Sequence, residues 1–147
     1  MTQTPVLMNI TYESDMKFIA ENPAGLMIPV EPGTILGGSG KTPNPIDYLL
    51  ASLGGCAGIK VLLDLKEAGA RPGSVRVTIS GTRREKPPAV FDKLHLTFYL
   101  TGELDDQVVA DAIHETMTVM CPVAVMMGKA AKVTWEQKIG LREHAGG

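Results

Sequence analysis

The stretch from Pro45 to about Ala68 constrains this chain more than any other. Asn44 can cap a helix that has Pro45 at its first position. Leucine or valine at 49, 50, 53, 61, 62 and 65 supplies apolar surface along it. Gly69 and Pro72 then end the run. Its middle, Ala51-Ser52-Leu53-Gly54-Gly55-Cys56-Ala57-Gly58, consists almost wholly of small residues. A glycine inside a helix costs roughly 1 kcal/mol against alanine. Close approach by another backbone can offset that cost. One candidate neighbour is the chain's own sheet. The other, which we favour, is the same helix of a second copy crossing at Cys56, because isologous dimers are the commonest oligomer.

The flanks read as strands. Val6, Met8, Ile10 and Tyr12 alternate, then Met16, Phe18 and Ala20, then Leu26, Ile28 and Val30. Glu13-Ser14-Asp15 and Asn22-Pro23-Ala24-Gly25 supply turns between these runs, which predicts a meander. After the helix, Val75, Val77 and Ile79 alternate with polar residues, as do Leu94, Leu96, Phe98 and Leu100. The charged, proline-bearing segment 83–93 joins the two as a hairpin connection. Asp105 or Asp106 starts a second helix with Val108, Val109, Ala112, Ile113 and Thr116 inward. Cys121-Pro122 opens a short third helix to about Lys129, and Val133 and Trp135 lie on a closing strand. This order is α+β, a single domain over 1–147 without internal repeat or linker.

Composition narrows the function. A net charge of -2 without a long basic block argues against a nucleic-acid partner, although a local patch stays open. With only 5% aromatic residues, stacked-base recognition is also disfavoured. No uninterrupted run nears the ~20 apolar residues of a membrane span, and the first residues lack a signal-peptide pattern. The expectation is a cytoplasmic protein without membrane contact, whose two cysteines, Cys56 and Cys121, are free or redox-active rather than a structural staple.

Several motifs fall short. Gly37-Gly38-Ser39-Gly40-Lys41-Thr42 ends like a phosphate loop, but position 35 is Ile where the pattern needs Gly. Pro43 and Pro45 also stand where its helix should already run. Cys56, Cys121, His95, His114 and His144 are not at metal-ligand spacings, so no metal or other cofactor is expected. His95 falls on the polar face of a strand, and His114 reads as an ordinary surface or core histidine. No G-x-S-x-G elbow is present. Cys121 precedes Pro122 and a helical run, where the macrodipole should favour a thiolate. Cys56 sits inside a helix, with Lys60 one turn on as its nearest cation in sequence. The plainer alternative is that both are small buried core residues.

The run Pro43-Asn44-Pro45-Ile46-Asp47-Tyr48-Leu49-Leu50-Ala51-Ser52-Leu53-Gly54-Gly55-Cys56, its glycine-rich lead-in, and Cys121-Pro122-Val123 resemble the OsmC/Ohr family of organic hydroperoxide-detoxifying proteins. The strand and helix order is that family's over nearly the whole chain. The resemblance implies an OsmC-like fold, an intertwined homodimer around the long helices, and active sites at the subunit interface. It makes Cys56 the peroxidatic thiol and Cys121 the resolving thiol. The partners it implies are an organic hydroperoxide and a small dithiol or lipoyl-type reductant.

Two departures stand out. Peroxidatic members hold the thiolate with an arginine from the N-terminal strands, whereas this chain has no arginine before Arg71. Lys17 is the stand-in, a point charge without the bidentate fork. The family's orienting glutamate is replaced by Ile46, with Asp47 beside it. On a straight helix Asp47 lies about 13 Å along the axis from Cys56, so it approaches only through a broken helix or a partner subunit. The expected catalytic set is therefore Cys56, Cys121, Lys17 and Asp47. A second function also fits the resemblance, a non-enzymatic protein holding an apolar small molecule at the dimer interface. Met117, Met120, Met126 and Met127 near Cys121 would form its adaptable walls, unless they simply fill the core.

Overall fold

A computed structural model describes residues 3–140. Strands β1 (Asn9–Ser14), β2 (Lys17–Glu21) and β3 (Met27–Val30) come first, followed by helix α1 (Pro45–Glu67). Strands β4 (Ser74–Arg83) and β5 (Phe91–Thr101), helices α2 (Asp106–Glu115) and α3 (Pro122–Met127), and strand β6 (Lys132–Gly140) complete the order. The architecture is the α+β arrangement that the alternation predicts. The chain divides into two compact units, Met1–Leu49 and Leu50–Gly147.

In the first unit β1, β2 and β3 form an antiparallel meander. The expected first strand is shorter than its hydrophobic alternation, because Val6 and Met8 precede β1. Register puts Tyr12 opposite Phe18 and Ile10 opposite Ala20, so these residues share one face. The Tyr12 and Phe18 ring centroids are 5.6 Å apart. Among these apolar residues only Ala20 is buried. The glycine-rich loop folds onto a buried carboxylate instead of cradling an anion. Ser39 Oγ donates to Glu31 Oε2 at 2.6 Å. Tyr48 Oη donates to the Pro29 carbonyl at 2.5 Å. Asn44 caps α1 as expected. Its Oδ1 accepts from the Asp47 N–H, and Asp47 Oδ2 accepts from the Asn44 N–H, both at 3.0 Å. This reciprocal arrangement is a capping box in which Asp takes the usual Glu or Gln position.

The second unit holds the core. Strands β4 and β5 pair antiparallel, and β6 pairs parallel to β5 at the other edge. A parallel pair needs a crossover, and the α2–α3 segment supplies it. Leu53, Ala57, Val61 and Leu65 recur every four residues along α1 and are fully buried, forming one core cluster with Leu94, Leu96, Phe98 and Leu100 of β5. Gly54 and Gly58 explain part of the small-residue run. A Cβ at Gly54 would lie 3.1 Å from Ile79 Cδ1, and one at Gly58 3.5 Å from Val77 Cγ2. At these two positions the neighbour is the chain's own β4 rather than a second copy's helix. Gly55 meets nothing within 4 Å.

Asp105 caps α2, its side chain accepting from the N–H groups of Gln107 and Val108. The inner face of α2 is Val109, Ala112 and Ile113, whereas Val108 is exposed. It lies one position outside the buried 3–4 spacing. Helix α1 also corrects the count of apolar residues. Polar interruptions rule out an uninterrupted run, yet its 18-residue average hydropathy makes it long and apolar enough, by length and composition, to cross a membrane. Its fully buried stripe is that of a core helix, while Leu49, Ile59 and Leu63 on other faces stay exposed.

Candidate active site

Cys56 and Cys121 arrive from different elements. Cys56 lies in the middle of α1, one turn beyond the buried Leu53 and beside the buried Ala57. That position leaves it half-buried at the margin of the core. Cys121 is brought in by an irregularity that periodicity does not reveal. Helix α2 runs directly into a π turn over Thr116–Met120, closed by the Cys121 N–H on the Thr116 carbonyl at 2.8 Å. Such i→i+5 insertions recur at functional sites because they rotate the following residues out of helical register. Cys121 follows in an extended conformation as the N-cap of α3 and is fully buried.

The two thiols are near enough for Cys56 to raise the Cys121 pKa, and both are free. Their accessibility differs. Cys56 reaches solvent in part, whereas Cys121 has 0% exposure. Cys121 also departs from the electrostatic expectation. Its Sγ accepts from the Ala124 N–H at 3.4 Å, as a helix N-terminus should allow. Burial nevertheless pushes the thiol above its ordinary range, and the contact with Cys56 adds to the rise. Desolvation outweighs the α3 N–H groups because the short helix must act on a group removed from water. The Cys121 thiol therefore holds its proton at neutral pH.

Asp64, not singled out from sequence, adjoins this arrangement. Cys56, Lys60 and Asp64 recur every four residues on α1 and are all half-buried. Asp64 Oδ2 faces the buried Thr116 hydroxyl at 3.5 Å, a long contact at the limit of hydrogen bonding. The π turn is thus met at its first residue by Asp64, and Cys121, just past its last, feels Cys56. The i+8 spacing of Cys56 and Asp64 was legible, but the five-residue closure from Thr116 to Cys121 was not.

The other predicted residues take local partners. Lys17 Nζ pairs with Glu13 Oε2 at 3.2 Å. Asp47 lies in the capping box, and the unbroken α1 removes the broken-helix route by which it could turn back to Cys56. His95 bridges β5 and β6, with Nδ1 2.7 Å from Thr134 Oγ1 and Nε2 3.0 Å from Glu136 Oε2. His114 is exposed beside Trp135, and His144 lies outside the described residues. The methionine group divides, with Met117 and Met127 on the core and Met120 and Met126 exposed. A groove of about 390 Å³ runs between α1 and β4, lined by apolar residues such as Leu50, Gly55, Ile59, Val77 and Ile79. Among the described residues no three His, Cys, Asp or Glu side chains form a metal-binding group.

Comparison with known proteins bears on the family and the fold. The family model for OsmC-like proteins matches residues 38–136, a span that includes both cysteines. Protein YhfA of Escherichia coli K12 is 30% identical over 132 residues, covering 88% of this chain and 95% of that protein. A hypothetical protein from Aquifex aeolicus superposes with a TM-score of 0.79 at 22% identity, over 93% of this chain and 98% of its own. An organic hydroperoxide resistance protein OsmC from Legionella pneumophila gives a TM-score of 0.71 at 16% identity, over 94% and 99% respectively. At these identities the two structures speak for the fold. Together with the family match and the YhfA likeness, they establish that this chain belongs to the OsmC-like protein family.

Proposed function

We propose that this chain is a thiol peroxidase that reduces organic hydroperoxides, with Cys56 as the attacking thiol and Cys121 as the resolving thiol. The observation that carries this reading is the pairing of two free thiols near enough to influence each other's protonation, one half-buried and the other sealed. A solved relative described as an organic hydroperoxide resistance protein supports the substrate class.

In the first step the Cys56 thiolate attacks the terminal oxygen of ROOH. The O–O bond breaks, RO⁻ takes a proton and leaves as ROH, and Cys56 becomes a sulfenic acid. In the second step Cys121 sulfur attacks the Cys56 sulfur. The S–O bond breaks, and the departing hydroxide takes the proton that Cys121 has retained, giving water and a disulfide. A small dithiol or lipoyl-type reductant exchanges with that disulfide and restores both thiols. Lys17 is assigned the part of the thiolate-holding cation. Asp47 is assigned an orienting part from the partner subunit. The assembly is a homodimer in the cytoplasm, supported by the open apolar face of the meander, on which Ile10, Tyr12 and Phe18 are 60%, 54% and 42% exposed.

The test is peroxide consumption with an organic hydroperoxide and a dithiol, comparing wild type with Cys56→Ser and Cys121→Ser. Wild type should turn over, Cys56→Ser should fall to the uncatalysed rate, and Cys121→Ser should accumulate a sulfenic acid that a dimedone-type probe captures. Turnover that survives Cys56→Ser would refute the assignment. The raised Cys121 thiol adds a pH signature. Alkylation near neutrality should modify Cys56 first, and Cys121 should lag until the pH exceeds the ordinary thiol range of about 8.5. A second reading, binding of an apolar small molecule, is favoured by the groove between α1 and β4. It requires a ligand-dependent rise in melting temperature across a lipid panel even in Cys56→Ser.

A further inference from the structure

The outer face of β4–β5–β6 is polar and carries its cations in two cross-strand groups. The register of β4 and β6 against β5 places Arg76 and Lys138 on either side of Tyr99. The same register sets Lys93 directly opposite Lys132. Six residues of β5 separate the groups, about 20 Å at ~3.3 Å per residue. Like charges directly opposite each other destabilise a strand pair. The buried inner face fixes the register, so a slip cannot relieve that repulsion.

The neutralising groups on this face are already engaged. Glu136 is held by His95 Nε2 through one oxygen, at 3.0 Å, and by Lys138 Nζ through the other, at 3.6 Å. The Arg76 guanidinium lies 4.1 Å from the Tyr99 ring centroid and has no hydrogen-bond acceptor among the described residues. Stacking uses its flat face and leaves its N–H edges available to a planar carboxylate.

We propose that this sheet face is a docking surface for an extended Asp/Glu-rich segment of a partner protein. An extended chain presents alternate side chains on one side about 7 Å apart, so six or seven residues reach from one cation group to the other. Charge complementarity carries the choice of occupant. A single-stranded nucleic acid would want an open ring to stack on, and Arg76 already covers Tyr99. The acidic stretch that opens α2 is a poor occupant from a second copy, since Asp105 is taken by the helix cap and Asp111 by Gln107, which leaves Asp106 alone at that turn.

The test measures anisotropy of a fluorescein-labelled glutamate decamer with the full chain, alongside a thymidine decamer. The glutamate peptide should bind at low salt and weaken about tenfold from ~20 to ~200 mM salt. Lys93→Ser/Lys132→Ser should weaken it by a further fivefold or more, in order-of-magnitude terms for two lost surface charges, with a melting temperature equal to or above that of the wild type. Should that variant fold poorly, the wild type still decides, because bound peptide should protect Lys93 and Lys132, but not Lys41, from acetylation. Absence of low-salt binding, equal binding by the variant, or no lysine protection would overturn the proposal. Tighter binding of the thymidine decamer, or salt-dependent self-association in place of peptide binding, would overturn it too.

Discussion

The meander of β1–β3 and the sheet of β4–β6 are built from the same alternation of apolar and polar residues, and they end in opposite states. Leu94, Leu96, Phe98 and Leu100 are at most 1% exposed, because the buried stripe of α1 and the inner face of α2 form one cluster with them. In the meander, Ile10, Tyr12, Phe18 and Ile28 share a face and remain 36–60% exposed. Period-two patterning therefore specifies which side of a strand wants cover, but not what supplies it. A three-stranded sheet needs a packed apolar face to be stable. The second unit provides that packing for its own sheet. The first buries only Ala20 and Glu31 among its described residues.

Truncation in the covered sheet should have the largest effect. Phe98→Ala removes a ring with no exposed surface from the centre of the cluster and should cost about 3–5 kcal/mol, read as a lower midpoint in urea unfolding. The opposite change should reveal the meander's missing partner. Phe18→Asp puts a charge on a ring position that is already 42% exposed, so it should hardly lower the stability of an isolated chain. If the meander is covered by a second copy, sedimentation should instead show wild type as a dimer and Phe18→Asp shifted towards monomer. Identical sedimentation of the two would remove the argument for a homodimer.

The same contrast separates what could be read from residues from what could not. Strand and helix order, the Asn44 and Asp105 caps and the ends of α1 follow from local chemistry, because a cap or a turn needs only neighbours in sequence. The two cysteines were legible only as a pair embedded in family-like motifs. Their contact depends on a π turn, which conceals itself inside a helical pattern. The direction of the Cys121 shift escapes the sequence for a related reason. The helix N-terminus is visible in Cys121-Pro122, but the burial that overrides it comes from residues distant in sequence. Val108 shows the limit of periodicity at one-residue resolution, since a slight rotation of α2 decides which of two adjacent valines is buried.

The smallest expected effect lies in the sparsely buried unit and concerns its one buried acid. Glu31 has its carboxyl held below the usual carboxylate value, chiefly by the hydrogen bond from Ser39, with Thr42 and the positive charge of Lys17 assisting against desolvation. A lowered folded-state value means that folding favours the ionised carboxylate. The resulting stability is fully present above the ordinary value of about 4.3 and is lost as pH falls through the lowered one. Glu31→Gln keeps the shape and a hydrogen-bond acceptor for Ser39 but removes the charge. Wild type should melt above Glu31→Gln at neutral pH, and the gap should close as the pH is taken below about 4. A gap that stayed constant across that range would mean that Glu31 acts through its shape and neutral hydrogen bonding. The loop would then be held by the same kind of packing as the second unit, and the contrast between the two units would narrow at that point.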